Sequence, residues 1–147
     1  MTWFRRIRIA LLIVLVGPLL LMAGSKVNMA AADWRTANRE SANIAPSPAE
    51  TREAVVQVYG ARTYGWRAVF AIHTWIAVKP EGAASYTTYQ VIGWRAFYGD
   101  SALVIRDDIP DRHWFGSRPE VLADLRGAAA AKAIVEIERA VKAYPYP

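Results

Sequence analysis

The sequence predicts an α+β domain behind a hydrophobic N-terminal helix, with a small antiparallel sheet of about four strands followed by two helices. Three observations predict it. An uncharged run follows three arginines at the start of the chain. Four short runs rich in β-branched and aromatic residues lie between 54 and 106, and apolar residues recur at helical spacing after 127. The organisation that follows is a membrane-associated segment at 1–25, a connector at 26–53 and the α+β domain at 54–147.

The first element carries Arg5, Arg6 and Arg8 ahead of an uncharged stretch from Ile9 to Ser25 that is interrupted only by Gly17-Pro18. As a helix this stretch covers roughly 25 Å, a little less than a hydrocarbon core of about 30 Å. Two readings stay open: a signal anchor that keeps the helix, with Pro18 as a kink, or a signal peptide cleaved after a small-residue site such as Ala23-Gly24-Ser25 or Ala30-Ala31-Ala32. Both leave the N-terminus in the cytoplasm, because three arginines precede the run and only Lys26 follows closely. The expected location is the bacterial inner membrane, contacted through residues 9–25, with the domain on the periplasmic side.

The connector is Asn-, Ser- and Ala-rich with Pro46 and Pro48, and only Trp34 and Ile44 stand out as residues that could dock on the domain. Strands are then expected at Ala54–Ala61, Ala68–Val78, Tyr86–Trp94 and Ala102–Arg106, with a turn at Glu81–Ala84. Pro119–Leu125 has the marks of a short helix: Ser117 as cap, Pro119 and Glu120 in the first turn, Gly127 beyond the end. Ala128–Ala143 is expected as a longer helix, with Ile134, Val135, Ile137 and Val141 at helical spacing and a Glu138–Lys142 pair. No internal repeat is read from the sequence.

Composition narrows the chemistry. The chain has 147 residues, no cysteine and two histidines, which removes thiolate metal sites, disulfides and cysteine nucleophiles within it. The net charge of +5 is largely the N-terminal arginines, and the near balance of the remainder gives no footprint for nucleic acid. No cofactor motif and no metal site is expected. The run from Asp107 to Gly116 gathers three aspartates and His113, but Pro110 breaks the spacing, so it reads as a solvated loop with Trp114-Phe115 plugging back into the core.

His73 is the candidate catalytic residue. It is titratable in the middle of the most apolar strand, and alternation puts it beside Ala71 and Trp75 on one face. The other face, with Phe70, Ile72, Thr74 and Ile76, is expected to be the core, and a hollow is expected beside the imidazole. A strand histidine next to a cavity can act as a general base if a second group orients it. Gln90 is the candidate orienter, given a favourable hairpin register. Trp66, Trp75 and Trp94 are the candidate binding residues, and their alternative at strand spacing is core packing.

Several of these blocks resemble an uncharacterised bacterial family, domain of unknown function 3750. The blocks are Val55–Arg62 with Gly65-Trp66-Arg67, Phe70–Pro80 around His73-Thr74-Trp75-Ile76, Val91-Ile92-Gly93-Trp94, Trp114-Phe115-Gly116 with Arg118-Pro119-Glu120, and Asp124–Gly127. The resemblance implies a frame similar to circularly permuted relatives of the NlpC/P60 and lecithin:retinol acyltransferase group, which are papain-like. It matches His73 to the general base and Gln90 to the polar third member, and it implies that family members continue past Tyr144–Pro147 to the nucleophile position. The expected function is a membrane-anchored periplasmic module, non-catalytic or C-terminally incomplete, with a cell-wall, lipid or protein partner. The alternative is a cell-envelope peptidase, amidase or acyl-transfer enzyme using His73 as base.

Overall fold

The computed structural model describes residues 2–24 and 34–146. Helix α1 spans Thr2–Gly24 and contains Pro18. Its uncharged run passes into residues whose side chains are not described. Among the described residues no helix is long and apolar enough to cross a membrane. The predicted cleavage sites at 23–32 lie almost wholly outside the described residues.

Five strands form one antiparallel sheet: β1 (Val55–Arg62), β2 (Ile72–Lys79), β3 (Thr87–Val91), β4 (Leu103–Asp107) and β5 (Glu120–Arg126), in the order β4-β3-β2-β1-β5. Helix α2, Gly127–Lys142, follows directly. Four strands appear where the sequence places them; the expected helix at Pro119–Leu125 is instead β5, paired with β1. The reason lies in a bulge. Val58 is opposite Ala123 and Tyr59 is opposite Val121, so Leu122 is an extra residue on β5. That extra residue breaks the two-residue period and leaves Val121, Leu122 and Leu125 at a spacing that imitates a helix.

Strand β1, between β2 and β5, is buried on both faces, which explains its β-branched and small residues. On one face Val55, Tyr59 and Ala61 pack with Trp75, Ala77 and Tyr86. On the other Val56 packs with Ala54, Val78, Ala130 and Ile134, the last two from α2. Both faces are therefore core, which corrects the expectation of a single sealed face. The apolar residues expected at the heart of that face, Phe70 and Ile72, are exposed. On α2 the ion pair joins Glu136 to Arg139, at 2.7 Å.

The face carrying Tyr59 and Trp75 is closed by chain rather than by a helix. Residues 34–53 lie across it as a strap, hydrogen-bonded to the loop after β4: Ala42 N–H to Asp111 O, His113 N–H to Glu40 O, and Gly116 N–H to Asn38 O. Ile44 and Ala45 pack on the core beneath, whereas Trp34 is exposed. Asp111 fastens the strap. Its carboxylate is 1% exposed and accepts bonds from Ile44 N–H (2.7 Å), Ala45 N–H (3.1 Å) and Ser41 Oγ–H (2.7 Å). Burial pushes this carboxyl up, but the bonds from Ile44, Ser41 and Ala45 outweigh burial and hold it below its ordinary value. The loop expected to be solvated is thus nailed down by its third aspartate.

Candidate functional site

His73 sits on β2 two residues before Trp75, and Trp75 is opposite Gln90 on β3. Gln90 and His73 are therefore diagonal neighbours on one sheet face, within reach of each other's side chains. The register gives the contact anticipated for it: His73 Nε2 lies 3.0 Å from Gln90 Oε1. An amide oxygen only accepts, so Nε2 carries the proton and Nδ1 keeps its lone pair. Among the described residues no group hydrogen-bonds to Nδ1. Burial pulls the imidazole below its ordinary value of 6.5, with the Gln90 bond acting in the opposite sense. The ring is thus neutral near pH 7, oriented at one nitrogen and basic at the other.

Aromatic rings flank the imidazole on its own sheet face. Trp114 is stacked on it, ring centroids 3.7 Å apart and planes at 16°, and Trp75 lies 5.9 Å away on the same face. Trp75 itself is buried, stacked on Tyr59, and donates its indole N–H to Pro110 O at 2.7 Å. It packs the core. Trp94 is half exposed and meets Trp114 at 6.3 Å. The side chain of Trp66 lies outside what is described, although its backbone belongs to the 3₁₀ turn Gly65–Val69. Between Gln90, Trp75, Trp114 and Arg112 lies a void of about 30 Å³, the space of one water molecule. A hollow of about 530 Å³ has His73, Trp75 and Gln90 among its lining residues, and it extends towards α2 along Ile76, Tyr89 and Ile137.

Trp114 reaches His73 because the loop turns back on itself there. Trp114 and Ser117 form a two-residue hairpin, bonded in both directions at 2.9 and 3.0 Å. The two residues at its tip, Phe115 (φ 47°) and Gly116 (φ 88°), are both left-handed, as a type I′ turn demands. Glycine tolerates this; a phenylalanine in the left-handed region is uncommon and costs about 1–2 kcal/mol. The cost is offset by ring contacts. Arg39 of the strap lies 4.7 Å over the Phe115 ring, and Tyr64 lies 5.6 Å from it. Strained backbone held by its surroundings beside a titratable group is the arrangement expected of a functional position.

Sequence reasoning missed Trp114 as the partner of His73. Its only sequence signal was an aromatic pair ahead of glycine, and forty residues separate it from the strand it covers. The other members of the same loop are committed elsewhere. Asp108 pairs with Arg112, and His113 Nδ1 meets Glu40 O at 2.9 Å. Those groups fasten the loop and strap together and leave no open ligand set between them.

With this geometry in view, the comparison with protein families is decisive on one point: a family model, described as a protein of unknown function (DUF3750), matches residues 53–147. The chain belongs to the DUF3750 family. The matched region runs from two residues before β1 to residue 147, so the sheet, α2 and the His73–Gln90–Trp114 cluster all fall inside the DUF3750 domain. No curated protein and no solved structure matches the chain.

Proposed function

We propose that this DUF3750 protein is a membrane-tethered module of the bacterial cell envelope that retains the base half of a papain-like acyl-transfer centre, and that the chain binds an envelope ligand rather than cleaving one. The observation that carries the reading is the His73–Gln90 pair. One ring nitrogen is oriented, the other is open, and the ring is neutral, as a general base requires. A base needs a group to activate, and the chain has no thiol, while among the described residues no hydroxyl is hydrogen-bonded to Nδ1. The tether is residues 9–25, whose uncharged run behind Arg5, Arg6 and Arg8 favours a cytoplasmic N-terminus and an exported domain.

The second reading is an envelope peptidase, amidase or acyl-transfer enzyme in which water or a group from outside the described residues attacks the acyl carbon and gives its proton to His73 Nδ1, which passes it to the departing amine or alcohol as the old acyl bond breaks. The open nitrogen favours it. One experiment separates the two. Full-length protein is treated with a fluorophosphonate and with an acyl ester, beside His73→Ala, and the His73 ring resonance is followed as muropeptides or acyl-peptides are added. The first reading expects no labelling or ester cleavage above the variant, together with a ligand-dependent shift of the His73 signal. Labelling or turnover that disappears in His73→Ala transfers the assignment to the enzyme. A His73 signal indifferent to every envelope ligand, with no turnover, removes both.

A further inference from the structure

The sequence contains one short repeat: Gly65-Trp66-Arg67-Ala68 recurs as Gly93-Trp94-Arg95-Ala96. This corrects the expectation that the chain has no internal repeat. Each copy opens a 3₁₀ turn, Gly65–Val69 and Gly93–Tyr98, and each is completed by aromatic residues, Phe70 after the first and Phe97-Tyr98 in the second. The first turn joins β1 to β2 and the second joins β3 to β4. In the strand order β4-β3-β2-β1-β5 both therefore stand at the same end of the sheet, with centres two strand spacings, or about 10 Å, apart.

This end presents rings to solvent. Phe97 is 88% exposed, Tyr98 83% and Phe70 63%. The strand ends beside them, Ile72 and Val91, are also exposed. An apolar patch of this kind marks a surface that meets another phase or molecule. Its composition says which. Each turn carries an arginine in its sequence, and Arg95 of the second, partly exposed, bonds Asp100 at 3.3 Å and Ser101 O at 3.0 Å. Aromatic rings and arginines at one level match the boundary between headgroups and acyl chains, where rings insert and guanidinium groups meet phosphates. Helix α1, the apolar element of the chain, comes up against the first of these turns, so helix and rings share one side of the molecule.

We propose that the two Gly-Trp-Arg-Ala turns dock this end of the sheet on an anionic lipid bilayer, with Phe70, Phe97 and Tyr98 inserted at the headgroup boundary and the partly exposed Arg95 at headgroup level. The proposal rests on the tether reading only in that the tether holds the domain beside a bilayer. Docking would lay the sheet end-on to the membrane and set the His73 face across it.

The absence of cysteine makes a clean test. Phe97→Cys and, at the opposite end of the sheet, Glu81→Cys are made in the full-length chain and labelled with an environment-sensitive fluorophore. Both proteins are mixed with vesicles of phosphatidylcholine alone or with phosphatidylglycerol, and flotation is recorded on the same samples. The expected result is a severalfold rise and blue shift of emission at position 97, stronger with phosphatidylglycerol, and no change at position 81. Equal emission changes at the two positions, or none at 97, overturn the docking proposal. Flotation reports the tether separately: a chain that floats with position 97 still in water keeps the tether and loses the docking surface. A chain that does not float while 97 becomes dehydrated has buried the patch against another protein molecule, which overturns the docking proposal. A patch occupied by a protein or glycan leaves 97 in water on both vesicles.

Discussion

Replacing Asp111 with alanine is the sharpest perturbation of the architecture, because one carboxylate fastens the strap to the sheet. It is 1% exposed and receives two backbone N–H groups and one hydroxyl, at 2.7–3.1 Å. Hydrogen bonds to a charged group contribute about 1.5–3 kcal/mol each, which for three gives roughly 4.5–9 kcal/mol gross. The net loss is smaller. Once the carboxylate is gone the strap can lift, and water then satisfies the amides of Ile44 and Ala45, so the cost is limited to that of undocking. The expected loss for Asp111→Ala is about 3 kcal/mol. Asp111→Asn keeps an acceptor for the two amides and can donate to Ser41 Oγ, so about 1 kcal/mol is expected. Urea unfolding measures the difference, and hydrogen exchange locates it: Ile44 and Ala45 amides should lose protection in the alanine variant while β1 amides keep theirs. A loss below about 1 kcal/mol for alanine, or unchanged protection at 44 and 45, would refute the view that Asp111 holds the strap.

Other expectations follow from the same geometry. Gln90→Leu removes the bond that holds the His73 proton, so the His73 pKa measured by NMR should fall further; a rise would show that burial is not what lowers it. Because folded His73 binds its proton less readily than the unfolded residue, the stability it confers is present above 6.5 and is lost as pH falls through the folded value. His73→Gln should flatten that acid limb in urea midpoints taken from neutral to mildly acidic pH, and parallel curves for the two proteins would count against it. At Gly60 an added Cβ would lie 2.9 Å from Leu122 Cδ1, the far end of an exposed and movable side chain. Gly60→Ala should therefore cost under about 1 kcal/mol, measured by thermal unfolding, and a larger loss would mean that Leu122 is pinned.

The strands of the hairpin were legible because Ala68–Val78 and Tyr86–Trp94 are β-branched and aromatic, and a local turn joins them. So was the relation of His73 to Gln90, once that register was taken as the pairing of adjacent strands. β5 was not legible. Its capping residues and Gly127 satisfy the local grammar of a helix, and only the long-range pairing with β1, together with the bulge at Leu122, decides for a strand. The strap was hidden for a similar reason: Ala37, Ala42 and Ile44 are too small or too scattered to show a pattern, and their burial depends on a carboxylate some seventy residues later. Trp114 on His73 belongs with these, since a stacking partner from a loop has no periodicity to announce it.

The route from the amino-terminal helix to the sheet runs through the strap, and the Asp111 carboxylate grips that route between the two. A pull on the leading segment is therefore taken up at residues 41–45 before it reaches the first residue of β1. Like the grommet that grips a cable where it enters a housing, the aspartate takes up strain at the strap and spares the strand behind it.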